Sequence, residues 1–305
     1  MSVHVVTVAN KSDGYYEILK KSCIRNGCEL TTLGFGEKWG GFVWRLEKIQ
    51  EYLKLVEPDD IVIIIDGFDV VMTEHIDTFI DKYKKIDKSI VIGISNLNTM
   101  NYIISSRIFK SIKYNKKEYF ICAGTYVGRA SDLATMFNLI NQYLGFKNYN
   151  DDQLLLSKFL NSSNVVIKNF IKSKIALDTQ VTLFNNTENK HSINTIFKTT
   201  GKINLTYDQI SDTLVNQYGK SSSFIHGPSS TDLKPYIEKL GYTDVPDVIP
   251  YTGSRNIYYA KLFISSMFWS DWVIVFIILI ILIFISIIMI RMVKNKFTKK
   301  TIDKK

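Results

Sequence analysis

The sequence predicts a mostly parallel, three-layer α/β domain followed by one C-terminal transmembrane helix, and three observations predict it. Residues 61–65, Ile-Val-Ile-Ile-Ile, are a short run of apolar β-branched residues, the pattern of a buried strand. Before and after that run, segments of strand character alternate with segments of helical periodicity, as in sheets covered by helices on both faces. Residues 272–290 then supply 19 consecutive uncharged, mostly apolar residues. As a helix they match a hydrocarbon core of about 30 Å. Trp269 and Trp272 flank them on one side, and Arg291 and Lys294 on the other, as interfacial anchors.

In chain order, Val3–Val8 is the first strand and runs into the polar turn 9–14. Residues 15–26 place Ile18, Leu19 and Cys23 at helical spacing. Leu30–Leu33 is a second strand, followed by a Gly- and Trp-rich loop over 34–41. Leu46, Ile49, Tyr52, Leu53 and Val56 mark the apolar face of the next helix, which Pro58 ends. After Ile61–Ile65 come strands over 90–94 and 119–127, the latter interrupted by Gly124 and closed by Gly128. Residues 148–160 read as an acidic helix start, with Asp151 and Asp152 where the helix dipole favours negative charge. Ile175–Leu177 and 181–184 flank Asp178 as short strands, and 223–226 is the last one. The expected organisation is a domain over 1–250, a connector over 251–271, the span at 272–290 and a basic tail over 291–305.

The strand at 61–65 carries the chemistry. It delivers Asp66 and Asp69 to its carboxyl end, where ligands of open α/β sheets bind, with Gly67 between them to let the backbone turn. Two carboxylates so placed can hold a hard divalent cation against a diphosphate; an acidic turn can equally be a solvated loop or a helix cap. The net charge of +9 does not indicate nucleic-acid binding, because residues 291–305 hold seven Lys/Arg and one Asp. Allowing for that tail and for Asp271, residues 1–270 keep +4. The tail suits a helix anchor near anionic headgroups. Three cysteines without a CxxC pair point to a reducing compartment. No basic region followed by a long apolar core opens the sequence, so a cytosolic domain on a membrane tail is expected. A lumenal domain is the alternative, favoured by the positive tail and by Asn-x-Ser/Thr sites at Asn10, Asn161, Asn185 and Asn204.

Seven short motifs share one order with a known family. They are Val-Val-Thr-Val-Ala-Asn-Lys-Ser-Asp-Gly-Tyr (5–15), Leu-Gly-Phe-Gly-Glu-Lys-Trp (33–39), Ile-Asp-Gly-Phe-Asp-Val (65–70), Ala-Gly-Thr-Tyr-Val-Gly (123–128), Asp-Asp-Gln-Leu (151–154), Leu-Asp-Thr-Gln (177–180) and Phe-Ile-His-Gly-Pro (224–228). Over residues 3–245 the chain resembles the glycosyltransferase domain of the procollagen lysyl hydroxylases, a GT-A (Rossmann-like) nucleotide-sugar fold, without the hydroxylase part.

The resemblance implies a Mn²⁺-dependent hexosyl transfer from a UDP-sugar to a hydroxyl acceptor, with a collagen-like or hydroxylysine-containing protein as the implied partner. Asp66 and Asp69 match the metal-binding aspartates and His226 the third ligand. Val8, Ala9 and Asn10 match the turn that contacts uridine, and Phe68 stands where the family has a Tyr that stacks on uracil. Trp39 matches a loop Trp near the donor, and Arg45 falls near a Lys that faces it. Asp152, and beside it Asp151, match acidic residues opposite the metal, suited to accept the acceptor's proton; a helix N-cap is the plainer role. Cys122-Ala123 replace a family Asn-Ser, and Pro228 to Asp232 replace a stretch with a phosphate-binding Lys, which Lys234 stands near. Two other functions remain open at this point: a non-catalytic, membrane-anchored nucleotide-sugar- or protein-binding module, and a metal-dependent hydrolase or nucleotidyltransferase.

Overall fold

The β-branched run becomes the centre of a nine-stranded sheet. The structure is a computed structural model and describes residues 1–96, 108–187, 205–209, 213–216, 218–228, 231–247, 261–262 and 276–289. Its elements in order are β1 (Val3–Val8), α1 (Tyr16–Arg25), β2 (Leu30–Leu33), α2 (Phe42–Tyr52), β3 (Ile61–Ile65), β4 (Val70–Met72), α3 (Ile76–Lys84) and β5 (Ile90–Asn96). They continue with β6 (Ile112–Tyr114), β7 (Lys117–Tyr119), β8 (Ile121–Arg129), α4 (Ala130–Tyr143), α5 (Asp152–Leu160), α6 (Val165–Lys174), β9 (Ile175–Leu177) and β10 (Phe184–Thr187). Last are β11 (Leu205–Asp208), β12 (Thr213–Asn216), β13 (Phe224–His226) and α7 (Lys234–Lys239).

The sheet order is β2-β1-β3-β8-β5-β10-β13-β4, with β9 also paired to β5. Neighbours β1–β2, β1–β3, β5–β9, β5–β10 and β10–β13 are parallel, whereas β8 runs antiparallel to β3 and β5, and β4 antiparallel to β13. The sheet is thus mixed but mostly parallel. All five β3 side chains are buried because the strand is covered on both faces. Ile61, Ile63 and Ile65 join Leu19, Cys23, Phe79 and Ile80 from α1 and α3 on one face. Val62 and Ile64 join Leu46, Ile49, Leu133, Phe137 and Leu155 from α2, α4 and α5 on the other. Period-2 alternation therefore sorts β3 between two cores. Replacing Ile63, fully buried, by Ala is expected to lower stability by about 2–5 kcal/mol, read as a shift in denaturant midpoint.

Two sequence expectations are corrected here. The strand expected over 119–127 starts at Ile121 and runs to Arg129, with Gly124 and Gly128 inside it. Gly128 does not end it, because a buried strand paired on both edges keeps its ladder through a glycine. The strand expected over 181–184 is displaced to Phe184–Thr187. Asp178 explains the shift: its buried carboxylate accepts hydrogen bonds from the amides of Thr182, Leu183 and Phe184 at 3.1, 2.8 and 2.9 Å. That turn holds Val181 at φ 56°, in left-handed backbone no strand residue adopts.

Residues 1–251 form one unit and 252–305 another. Within the second, 276–289 is an α-helix of exposed, uncharged side chains, Phe276 65 % exposed among them. Among the described residues no helix is long and apolar enough to cross a membrane. The rest of the span expected at 272–290, its flanking Trp269, Trp272, Arg291 and Lys294, and most of the tail and connector lie outside the described residues, as does Asn204.

Candidate active site

The carboxyl end of β3 is where the sheet gathers its polar side chains. Asp66 and Asp69 leave β3 on the tight turn to β4, and His226 arrives at the end of β13, which pairs with β4 through His226 and Val70. Among the described residues the three form a group whose ligand atoms all lie within 4.8 Å of one another. His226 is 1 % exposed, while both carboxylates keep an open side.

The second ring nitrogen of His226 decides what the first can do. Nδ1 lies 2.8 Å from Asn186 Oδ1. Asn186 itself is oriented by donating to the Ile94 carbonyl at 3.0 Å and by accepting from Thr125 Oγ1 at 3.0 Å. Its oxygen therefore faces the ring, Nδ1 carries a proton in either charge state, and Nε2 is the nitrogen that points toward the acids, where a cation would take the place of a proton. Nε2 is buried and sits 3.3 Å from Asp66 Oδ2 and 3.2 Å from Asp69 Oδ1, at angles that make no hydrogen bond. Burial opposes a charged imidazole, yet Asp69, Cys122 and Asp66 outweigh it and raise the His226 pKa well above its ordinary value. These groups call for positive charge at one point. Two carboxylate oxygens and one imidazole nitrogen fit a divalent cation.

Gly124 of β8 makes the room. A Cβ there would lie 2.2 Å from Asp66 Oδ2 and 2.9 Å from His226 Cε1. Gly124→Ala is accordingly expected to weaken divalent-cation affinity roughly ten- to a hundredfold, the usual cost of disturbing ligand orientation. A manganese titration of the folded variant checks this, and parental affinity would refute it. Gly67 has a similar role: a Cβ would approach Thr7 Oγ1 to 2.9 Å and Ala9 Cβ to 3.1 Å, so the turn lies against the end of β1.

The remaining expected site residues stand at these places. Val8 and Ala9 are buried at the end of β1, and the Asn10 carbonyl accepts from Gly36 N at 2.9 Å. Phe68 is half-buried, and its carbonyl accepts from Tyr15 N at 2.7 Å. Trp39 is 36 % exposed and packs edge-on against Phe42 and Trp44, with ring centroids 5.8 and 5.3 Å away. Asp151 caps α5, its carboxylate accepting from Leu154 N at 2.7 Å. Asp152 is buried one residue on and accepts from Arg45 Nη1 at 2.6 Å. Burial pushes its carboxyl up to about 6, with Arg45 pulling the other way. Arg45 is 4 % exposed, and its Nη2 lies 2.8 Å from Asp66 Oδ1. The guanidinium thus faces two carboxylates of the protein. Lys234 pairs with Asp247 at 2.9 Å on the surface.

Four contributors escaped the sequence reading: Gly124, Thr125, Asn186 and Gln153. Gln153 accepts from Ala123 N at 2.7 Å and donates to the Ile121 carbonyl at 2.6 Å, which docks the start of α5 onto β8. Its place in the motif 151–154, like that of Gly124 and Thr125 in the motif 123–128, was the signal available. Asn186 lies far along the chain from His226, and nothing local marks it.

Comparison with known proteins gives the family. The family model described as the PLOD GT domain matches residues 1–242. A procollagen-lysine,2-oxoglutarate 5-dioxygenase of Drosophila melanogaster is 26 % identical over 257 residues, covering 79 % of this chain and 33 % of the relative. The chain therefore spans about a third of the length of that curated relative. Among solved structures, a glycosyltransferase involved in glycosylation of the PBCV-1 major capsid superposes with TM-score 0.43 at 11 % identity, over 79 % of this chain and 99 % of that one. A Francisella tularensis 2-C-methyl-D-erythritol 4-phosphate cytidylyltransferase gives TM-score 0.33 at 12 % identity, over 58 % and 90 %. These two scores are too low to argue from, and the assignment rests on the family match across the domain that holds Asp66, Asp69, Asp152 and His226. The chain belongs to the PLOD GT domain family, and its domain has a mixed α/β fold.

Proposed function

We propose that the domain transfers a hexose from a UDP-sugar to a hydroxyl acceptor with Mn²⁺ as cofactor, the acceptor being a collagen-like or hydroxylysine-bearing protein. One observation carries the reading: the Asp66–Asp69–His226 group stands one guanidinium away from the buried carboxylate of Asp152. A divalent cation on the first group would act as a Lewis acid toward charge developing on the leaving diphosphate. Asp66, Asp69 and His226 hold the donor end, with Asn186 keeping His226 in its ligating tautomer. Asp152 accepts the proton of the attacking hydroxyl, or stabilises positive charge growing on the sugar. Val8, Ala9, Asn10 and Phe68 form the floor for uridine, where a half-buried aromatic ring can stack on the base. The test is a panel of UDP-sugars with Mn²⁺, scored by released UDP and by sugar on a hydroxylysine-containing peptide. Release of UMP or of sugar phosphate would point to a hydrolase or nucleotidyltransferase instead.

A second reading has an observation of its own. Arg45 and Lys234, the two cations that the resemblance sets near the diphosphate, are both engaged by carboxylates. That favours a nucleotide-sugar-binding module without turnover, and metal-dependent UDP binding with no transfer to any acceptor would establish it.

The chain is further proposed to be held on a bilayer by residues 272–290, with the domain facing the cytosol. Support comes from the uncharged helix at 276–289, whose one hydroxyl, on Ser286, bonds back to the Leu282 carbonyl at 2.8 Å and so needs no water. The free thiols of Cys23, Cys28 and Cys122 suit a reducing compartment. Asn185 is fully buried and closed to glycosylation in the folded domain. Removal of 271–305 is expected to release a folded domain into the soluble fraction. Protease protection of residues 1–270 in sealed microsomes, or a glycan on Asn161, would reverse the sidedness.

A further inference from the structure

Arg45 sits in α2 with its guanidinium buried between two acids that are distant in the chain. Nη2 lies 2.8 Å from Asp66 Oδ1 at the end of β3, an ion pair whose angle makes no hydrogen bond. Nη1 lies 2.6 Å from Asp152 Oδ2 in the first turn of α5, and also donates to the Ala123 carbonyl at 3.3 Å. Beside Asp152 lies a cavity of about 10 Å³, bordered by Leu46, Ala123, Tyr126, Leu155 and Leu156 among others. The Tyr126 hydroxyl is buried without a hydrogen-bond partner, so it makes no hydrogen bond to Asp152. Orientation of the Asp152 carboxylate therefore depends on Arg45 and on the Gln153 amide, which donates to Oδ1 at 2.9 Å.

We propose that Arg45 is a positioning residue: its planar fork fixes the separation between Asp66 and Asp152, so that the cation-binding carboxylate and the carboxylate facing the acceptor are built as one rigid unit. The inference rests on the glycosyltransferase reading given above. Arginine suits the task because its two nitrogens address two acids at once, whereas the point charge of lysine reaches one of them well. Held this way, Asp152 keeps its place relative to the bound donor while the acceptor changes.

Arg45→Lys and Arg45→Gln, made in the full chain, test this with three readouts. Calorimetric titration of Mn²⁺ with UDP should show affinity about tenfold weaker, because Asp66 loses its orienting partner. At saturating Mn²⁺, kcat should fall roughly a hundredfold with donor KM little changed, the usual result of an ångström-scale misplacement. In a double-mutant cycle, Arg45→Lys with Asp152→Asn should lose no more kcat than the worse single variant, since both act through one carboxylate. Parental Mn²⁺ affinity and kcat in Arg45→Lys, or fully additive losses in the cycle, would overturn the proposal. If neither Arg45 variant folds, Asp152→Glu decides. One extra methylene against a fixed guanidinium should cut kcat about as much at unchanged UDP affinity, and parental kcat would refute the positioning role. A parent chain with no Mn²⁺-dependent UDP binding would sink the underlying reading instead.

Discussion

Asp66→Ala is expected to abolish both Mn²⁺-dependent UDP binding and sugar transfer while leaving the domain folded. Asp66 serves two partners: Oδ2 faces His226 Nε2 at 3.3 Å, and Oδ1 faces Arg45 at 2.8 Å. Removing it takes one ligand from a set of three, and an incomplete set holds a hard cation poorly. It also leaves the buried Arg45 with Asp152 and the Ala123 carbonyl, which costs some stability but does not strip the guanidinium of every partner. Diphosphate then meets Asp69 and Asp152 with less compensating charge, so donor affinity falls together with turnover. The measurement is UDP titration with and without Mn²⁺, beside a circular dichroism melt. Metal-dependent UDP binding at parental affinity in the variant would remove Asp66 from the site.

Asp152→Asn is expected to behave differently: UDP and Mn²⁺ still bind, and transfer falls at least roughly a hundredfold, the common contribution of a positioned general base. The amide keeps the volume of the carboxylate and one oxygen for Arg45 but cannot take a proton. The parent should also show a pH signature. Burial pushes the Asp152 carboxyl up to about 6, against the pull of Arg45. A base works ionised, so kcat should rise as pH increases through about 6 and be lost as pH falls below it; that inflection should vanish in the Asn variant. Normal transfer by Asp152→Asn would end its catalytic assignment, and an unchanged inflection would assign the titration to another group.

Some of this was legible in the chain because it is local. Five β-branched residues followed by Asp-Gly-Phe-Asp can be read as a buried strand ending in an acidic turn without knowing what lies beside them. The N-cap role of Asp151 was likewise readable, since a cap depends on its own next three residues. Where local reading stopped, a tertiary contact had intervened. Residues 181–184 carry strand-like composition, but three amides turn toward the Asp178 carboxylate and the strand begins later. Arg45 was recognisable as a cation near the site. Which anions it meets depends on how α2 packs against α5, and the structure turns it toward Asp66 and Asp152.

The sequence by itself determined the strand–helix alternation, the buried β3 run, the acid pair at its end and the uncharged stretch at 272–290, because each is a periodicity or spacing within one segment. The tertiary structure alone decided that β8 inserts antiparallel between β3 and β5, so that Gly124 clears a space beside Asp66. It also decided that β10 lies next to β13, so that Asn186 sets the tautomer of His226. Strand order in a sheet is chosen by which faces bury together across the whole chain. The ligand geometry, the orienting hydrogen bonds and the Arg45 bridge exist only once that choice is made.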